Sequence, residues 1–341
     1  METELEALIS WAVKHHVSDL HLSAGQKLFF RQKGKLLAKS DELLTDSFLS
    51  DAIHTMLTDA QKTSLMEHRE LDFSWETEQC RLRGNIYLQR GQPAIALRLI
   101  PDRIPSLAEL GAPSALFRLL QVTQGFLLVT GRTGSGKSTT LAAFLHALMA
   151  ERSVHLLTLE DPIEFLHRSS GSFISQREYG RDFLSFPHAL KNALREMPDV
   201  LLIGEIRDAK TMQLALEAAS TGIFVLGTLH TKGAAETALR MENLFPLHQR
   251  ETVRNRFADA FTGIFSQCLL PSISGDRVCA TEVLLATPAT RNLIRQGKYN
   301  QLPSVMLSSQ DMNTMEHAVK NLFQQNRISP EIWNAWNSPV P

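Results

Sequence analysis

The spacing of apolar positions changes along the chain, and each change marks an element. Leu5, Leu8, Ile9, Ala12 and Val13 recur at helical spacing, which predicts an amphipathic first helix ending near Ser18 and Asp19. The pattern then shortens to strand-like runs. These are Phe29-Phe30, a turn at Lys33-Gly34, then Leu71 to Trp75, Arg81 to Leu88 and Ala94 to Ile100, together reading as a small α+β domain over residues 1–100. Residues 101–114 carry three prolines and a glycine, which break any regular element and predict a linker. From residue 115 to 341 strands and helices alternate as in α/β architecture. Strands are predicted at Phe126 to Thr130, His155 to Leu159, Val200 to Ile203, Phe224 to Leu229 and Val278 to Leu285. Helices are predicted from Lys137 to about Leu148, around Phe186 to Arg195, and at the end, where Met315, Ala318, Val319, Leu322 and Phe323 share one face. No internal repeat or low-complexity segment interrupts this order.

Bulk properties narrow the classes. With 341 residues, 43% hydrophobic and 21% charged, the chain has globular composition and length for two cores. A formal charge of −1 gives no overall pull toward nucleic acid or an anionic membrane. Cys80, Cys268 and Cys279 are odd in number and contain no C-x-x-C pair, so neither a disulfide framework nor a zinc site is expected. The acidic start lacks the pattern of a secretory signal, and no run of about eighteen apolar residues is long enough to span a bilayer. A cytoplasmic protein is expected.

The chemistry enters at Gly131, Arg132, Thr133, Gly134, Ser135, Gly136, Lys137 and Ser138, which match G-x-x-x-x-G-K-[ST]. An apolar strand precedes the motif and a helix follows it, the context a phosphate-binding loop requires. Glycines let successive N–H groups turn inward around phosphate oxygens, and the helix N-terminus adds partial positive charge. In such loops the lysine, here Lys137, reaches the β- and γ-phosphates, and the following Ser138 ligates Mg²⁺. ATP is the expected nucleotide, with Thr139 beside it. Two further strands end in polar clusters where α/β sheets place ligands: Glu160-Asp-Pro-Ile-Glu164 and Gly204-Glu205-Ile206-Arg207-Asp208. A third ends in Gly227-Thr-Leu-His-Thr231 and aims His230 at the same edge.

In this order the motifs resemble those of the secretion ATPases of type IV pili and type II secretion, and within that family the pilus retraction branch. The resembling segments are Val129 to Ala143, Leu159 to Glu164, Leu194 to Asp208 and Gly227 to Thr231. Ser18 to Gly25 and Arg291 to Lys298 extend the resemblance over nearly the whole chain. It implies a PAS-like N-terminal domain, a RecA-like ATPase domain, and a homo-hexameric ring that holds ATP at its subunit interfaces. It also implies an inner-membrane platform protein as partner, and a paralogous motor ATPase as a possible second one. In this reading Glu164 orients or deprotonates the attacking water, and Glu205 holds the Mg²⁺ shell. His230 reports on the γ-phosphate, and Arg83 and Arg98 are candidate cations reaching a neighbour's ATP. The activity implied is ATP hydrolysis coupled to pilus retraction, and so to twitching motility or DNA uptake. Alternatives are an extension or secretion ATPase, a weakly active accessory subunit, and a RecA-type helicase, against which the near-neutral charge speaks.

The chain departs from the family at Met197, Ser220 and Ile223, where aspartate, glutamate and histidine are common, and each change is expected to remove a polar group near the site or from the layer of residues that supports it. The retraction segment also varies, at Thr290 and Gln296.

Overall fold

The computed structural model describes residues 3–32, 34–77, 79–100 and 103–338. Lys33 of the expected turn and Pro101 and Asp102 of the expected linker lie outside them. The chain divides into compact units at residues 1–103 and 104–341.

The first unit opens with α1 (Glu4–Lys14), which starts with a capping box: Thr3 and Glu6 exchange side-chain and backbone bonds and satisfy two otherwise orphaned N–H groups. Then come β1 (Asp19–Ser23), β2 (Lys27–Gln32), β3 (Lys35–Leu43), α2 (Asp46–Met56), α3 (Asp59–His68), β4 (Glu70–Glu76), β5 (Arg81–Gln89) and β6 (Gln92–Ile100). The described strands form one antiparallel sheet in the order β3-β2-β1-β6-β5-β4. One face packs Leu20, Leu22, Phe30, Phe73, Leu82, Ile86, Ile95 and Leu97 against Leu5, Ile9, Ala12 and Leu49 of the helices. Period-two alternation places Arg83 and Arg98 on the other face. The strands that carry them, β5 and β6, are interior strands of the sheet, and Arg81 on the same face is buried. The helix α3 and the strand β3 escaped the sequence reading because α3 buries none of its residues and β3 is exposed throughout, so neither carries an apolar period; α2 was missed although Leu49, Ala52 and Met56 are buried at helical spacing.

The second unit contains α4 (Ser114–Arg118), β7 (Gly125–Thr130), α5 (Lys137–Glu151), β8 (His155–Glu160), β9 (Phe173–Glu178), α6 (Phe186–Ala193), β10 (Val200–Ile203), α7 (Ala209–Ser220) and β11 (Phe224–Leu229). It continues with α8 (Ala234–Asn243), α9 (Leu247–Ala260), β12 (Phe261–Pro271), β13 (Arg277–Leu285), α10 (Pro288–Arg295), α11 (Leu302–Leu307), α12 (Met315–Gln324) and α13 (Pro330–Asn337). The described strands form a mixed sheet ordered β13-β12-β7-β11-β10-β8-β9, parallel except for the β12–β13 hairpin. The strands β7, β10 and β11 are buried at every position, as a sheet covered on both faces demands. Two strands were missed. One, β12, follows α9 without a break, so its apolar run merges with Phe257 and Ala258. The other, β9, is an edge strand whose inner residues are half-buried and partly polar.

Candidate functional site

Parallel strands bring their C-terminal ends to one edge of the sheet, and the chemistry gathers there. The loop leaving β7 runs Gly131 to Gly136 and enters α5 with Gly136 at φ +86° as its N-cap. Gly131 sits at φ +145°, and a Cβ there would come within 2.4 Å of the Gln267 carbonyl and 2.5 Å of Ser135 Oγ, so no other residue fits without displacing β12. Lys137 is buried and folds back on the loop, donating to the carbonyls of Gly131 at 3.0 Å and Arg132 at 3.2 Å. Burial pushes its amine down, while the carboxylates of Glu205 and Glu164 act the other way.

Glu205 leaves the end of β10 and meets two partners. Arg207 Nη2 donates to its Oε2 at 2.8 Å, and His230 Nε2 lies 3.3 Å from its Oε1. Burial raises the Glu205 carboxyl, but the Arg207 bond and charge and the His230 contact outweigh it and hold the group below the usual range. The residue before it is glycine for a steric reason. A Cβ at Gly204 would stand 3.1 Å from the Leu159 carbonyl and 3.2 Å from Glu160 Cα, so a side chain there would press on β8. Arg207 also faces Asp161 at 3.5 Å, which ties the loops after β8 and β10 together. In the sequence Arg207 is only one member of the polar cluster that ends its strand. The structure makes it the link between two acidic loops, and the register of β8 with β10, invisible in sequence, is what brings them together.

Glu164 is exposed on the loop after β8, close enough for its charge to act on Lys137 and on Glu160. Glu160 itself is buried, and burial pushes its carboxyl up to about 7 against hydrogen bonds from Thr158, Gln176 and the Glu164 backbone. Lys137, Glu164, Glu205 and His230 thus share one edge with the phosphate loop. Arg83 and Arg98 belong to the other unit, where they are cross-strand neighbours, and Arg98 Nε donates to Asp19 at 2.9 Å.

Gln267 escaped the sequence reading because β12 did. It reaches under α5, donating from Nε2 to Thr140 Oγ1 at 2.8 Å, and lines a cavity of about 120 Å³ with Leu110, Pro113, Gly136, Thr139 and Leu269.

The expectation that Met197, Ser220 and Ile223 sit near the site is overturned. Met197 and Ile223 precede β10 and β11, and Ser220 ends α7 just before Ile223, so all three lie at the opposite edge of the sheet. At about 3.3 Å per residue, β11 separates Ile223 from His230 by roughly 20 Å. Ile223 is packed in the core, and Ser220 bonds back to the Leu216 carbonyl.

A family model described as "Type II/IV secretion system protein" matches residues 1–296. The uncharacterized protein YggR of Escherichia coli is 42% identical over 327 residues, covering 95% of this chain and 99% of its own. The type IV pilus retraction ATPase PilT of Pseudomonas aeruginosa is 40% identical over 331 residues, covering 96% of each chain. A crystal structure of the pilus retraction motor PilT with bound ADP superposes with a TM-score of 0.92 at 39% identity, covering 100% of this chain and 98% of that one. With the family model spanning residues 1–296 and a relative 40% identical over 96% of each chain, this chain belongs to the type II/IV secretion system protein family.

Proposed function

We propose that this chain is an ATP-hydrolysing motor subunit that works as a homo-hexamer and drives retraction of a type IV pilus. The observation that carries the hydrolytic reading is the convergence of Lys137, Glu205, His230 and Glu164 on one sheet edge beside the phosphate loop. In this reading the loop N–H groups and Lys137 hold the phosphates, and Glu164 orients the attacking water. Glu205, poised between Arg207 and His230, senses the γ-phosphate through either partner. Ser138 and Glu205 offer oxygen donors alone, the set suited to Mg²⁺, which binds through few protein groups because the phosphates complete its shell. Mg²⁺ bound there would neutralise charge between the β- and γ-phosphates.

Retraction draws its support from the full-length similarity to the pilus motor. In the same reading Arg83 and Arg98 act on a neighbour's nucleotide, and the inner-membrane platform protein receives the force. The subunit works on the cytoplasmic side, where ATP is available; among the described residues no helix is long and apolar enough to cross a membrane.

Steady-state phosphate release by the purified hexamer tests hydrolysis. Lys137→Ala, Glu164→Gln and Glu205→Ala are expected to abolish it, and a wild-type rate equal to theirs sinks the proposal. A deletion strain that keeps normal surface piliation and twitching would refute the retraction role alone.

A further inference from the structure

The loop that carries Glu164, residues 161–167, has no helix or strand of its own, so its backbone groups must find partners elsewhere. Side chains of β9 supply them at three points, with a β8 carboxyl behind them. Glu178 Oε2 accepts from the Ile163 N–H at 3.1 Å, and the buried Glu160 carboxyl stands close enough to Glu164 for the Glu164 backbone and charge to act on it. Gln176 uses both ends of its amide: Nε2 donates to the Phe165 carbonyl at 2.9 Å, and Oε1 accepts from the His167 N–H at 2.8 Å. The holders are themselves tied together. Thr158 Oγ1 donates to Glu160 Oε1 at 2.7 Å, and Gln176 Nε2 reaches the same oxygen at 3.3 Å. Parallel register sets Thr158 against Gln176 and Glu160 against Glu178, so alternate residues of two neighbouring strands make the cradle.

We propose that Glu160, Gln176 and Glu178 are positioning residues that hold Glu164 where it meets the attacking water, an inference that rests on the hydrolytic reading of Glu164. The alternative, a role in stability alone, fits poorly at Glu160. It follows the buried run Leu156 to Leu159, and a carboxyl buried there costs stability that an apolar residue of like size would not. What the carboxyl supplies is an acceptor that fixes the Gln176 amide behind the loop, next to the Glu164 backbone, and a displacement of about 1 Å at a group such as Glu164 lowers a rate by about a hundredfold.

The experiment is phosphate release by the full chain, with kcat and KM for ATP separated, for Glu160→Leu, Glu160→Gln, Gln176→Leu and Glu164→Gln. Glu160→Leu and Gln176→Leu are expected to lower kcat by about tenfold or more with KM within about twofold of wild type. Glu160→Gln keeps an acceptor oxygen and is expected to restore most of kcat. If Glu160→Leu does not fold, Gln176→Leu carries the same test on an exchangeable amide. Wild-type kcat in the leucine variants, with Glu164→Gln inactive, overturns the positioning role and leaves the site reading standing. So does a loss confined to KM. Wild-type turnover in Glu164→Gln overturns the site reading, and this inference with it.

Discussion

At the scale of single residues, burial sets the proton affinities around the site, and a residue of the Glu164 loop and one of the strand before it respond in opposite senses. His167 is buried with Nδ1 unpaired, and burial, with the charge of His146, lowers its imidazole to about 4 from 6.5. The unfolded chain therefore binds a proton between those values and the fold does not, so stability is full above the ordinary value and lost as pH falls toward 4. The gap corresponds to at most about 3 kcal/mol. His167→Phe is expected to show a smaller fall in melting temperature between pH 7 and pH 5 than wild type, read by circular dichroism. Glu160, raised to about 7, works the other way: its contribution is present below the ordinary carboxylate value and lost as pH rises through 7. Met197 makes a separate case. It is 82% exposed with φ +53°, a left-handed conformation that aspartate tolerates better than methionine. Met197→Asp is expected to raise stability by roughly 0.5 kcal/mol and leave turnover unchanged, since the residue is far from the nucleotide edge. A change in kcat in that variant would contradict the assignment.

At the scale of elements, α10 shows what the segment from Arg291 to Lys298 does inside the subunit. The helix starts with a capping box between Thr287 and Thr290, so the threonine that varies from the retraction pattern is recruited as N3, with its hydroxyl also bonded to the Leu285 carbonyl at 2.9 Å. Arg291 then spreads its guanidinium over the C-terminal end of α9, donating to the carbonyls of Ala258, Asp259 and Phe261. Arg295 adds an ion pair to Asp259. Helix ends leave carbonyls unpaired, and a planar cation with several donors satisfies them as a point-charge lysine does not. Arg291→Met is expected to cost about 1–3 kcal/mol in urea unfolding, and Arg291→Lys to recover only part of it. Equal stability in both variants would show that the three bonds contribute nothing. The segment's place at the α9 terminus also explains why α9, with only four buried residues among fourteen, ends cleanly where β12 begins.

At the scale of the molecule, the nucleotide loop, the acidic loops and the histidine all belong to the unit spanning 104–341, so ligand binding acts first on that unit. A nucleotide at a hundred times its dissociation constant adds about 2.7 kcal/mol to the state that binds it. ADP is therefore expected to raise the melting temperature of the wild-type chain in differential scanning calorimetry, with no shift in Lys137→Ala. A shift retained in that variant would place the nucleotide elsewhere.

Much of this was already determined by the sequence. The phosphate loop, the buried strands of the second unit and the acidic and histidine strand ends were legible because each depends on neighbours in the chain. Glycine conformations, helix starts and period-two or period-three-and-a-half burial are local properties, and contiguous residues carry them. The tertiary structure alone decided which distant segments meet. It put Gln176 and Glu178 behind Glu160, joined Arg207 to Asp161, set β12 beside β7, made the arginine strands interior, and moved Met197, Ser220 and Ile223 to the far edge. Those outcomes rest on strand order and register, which are set by contacts between residues far apart in the chain, and no local period records them.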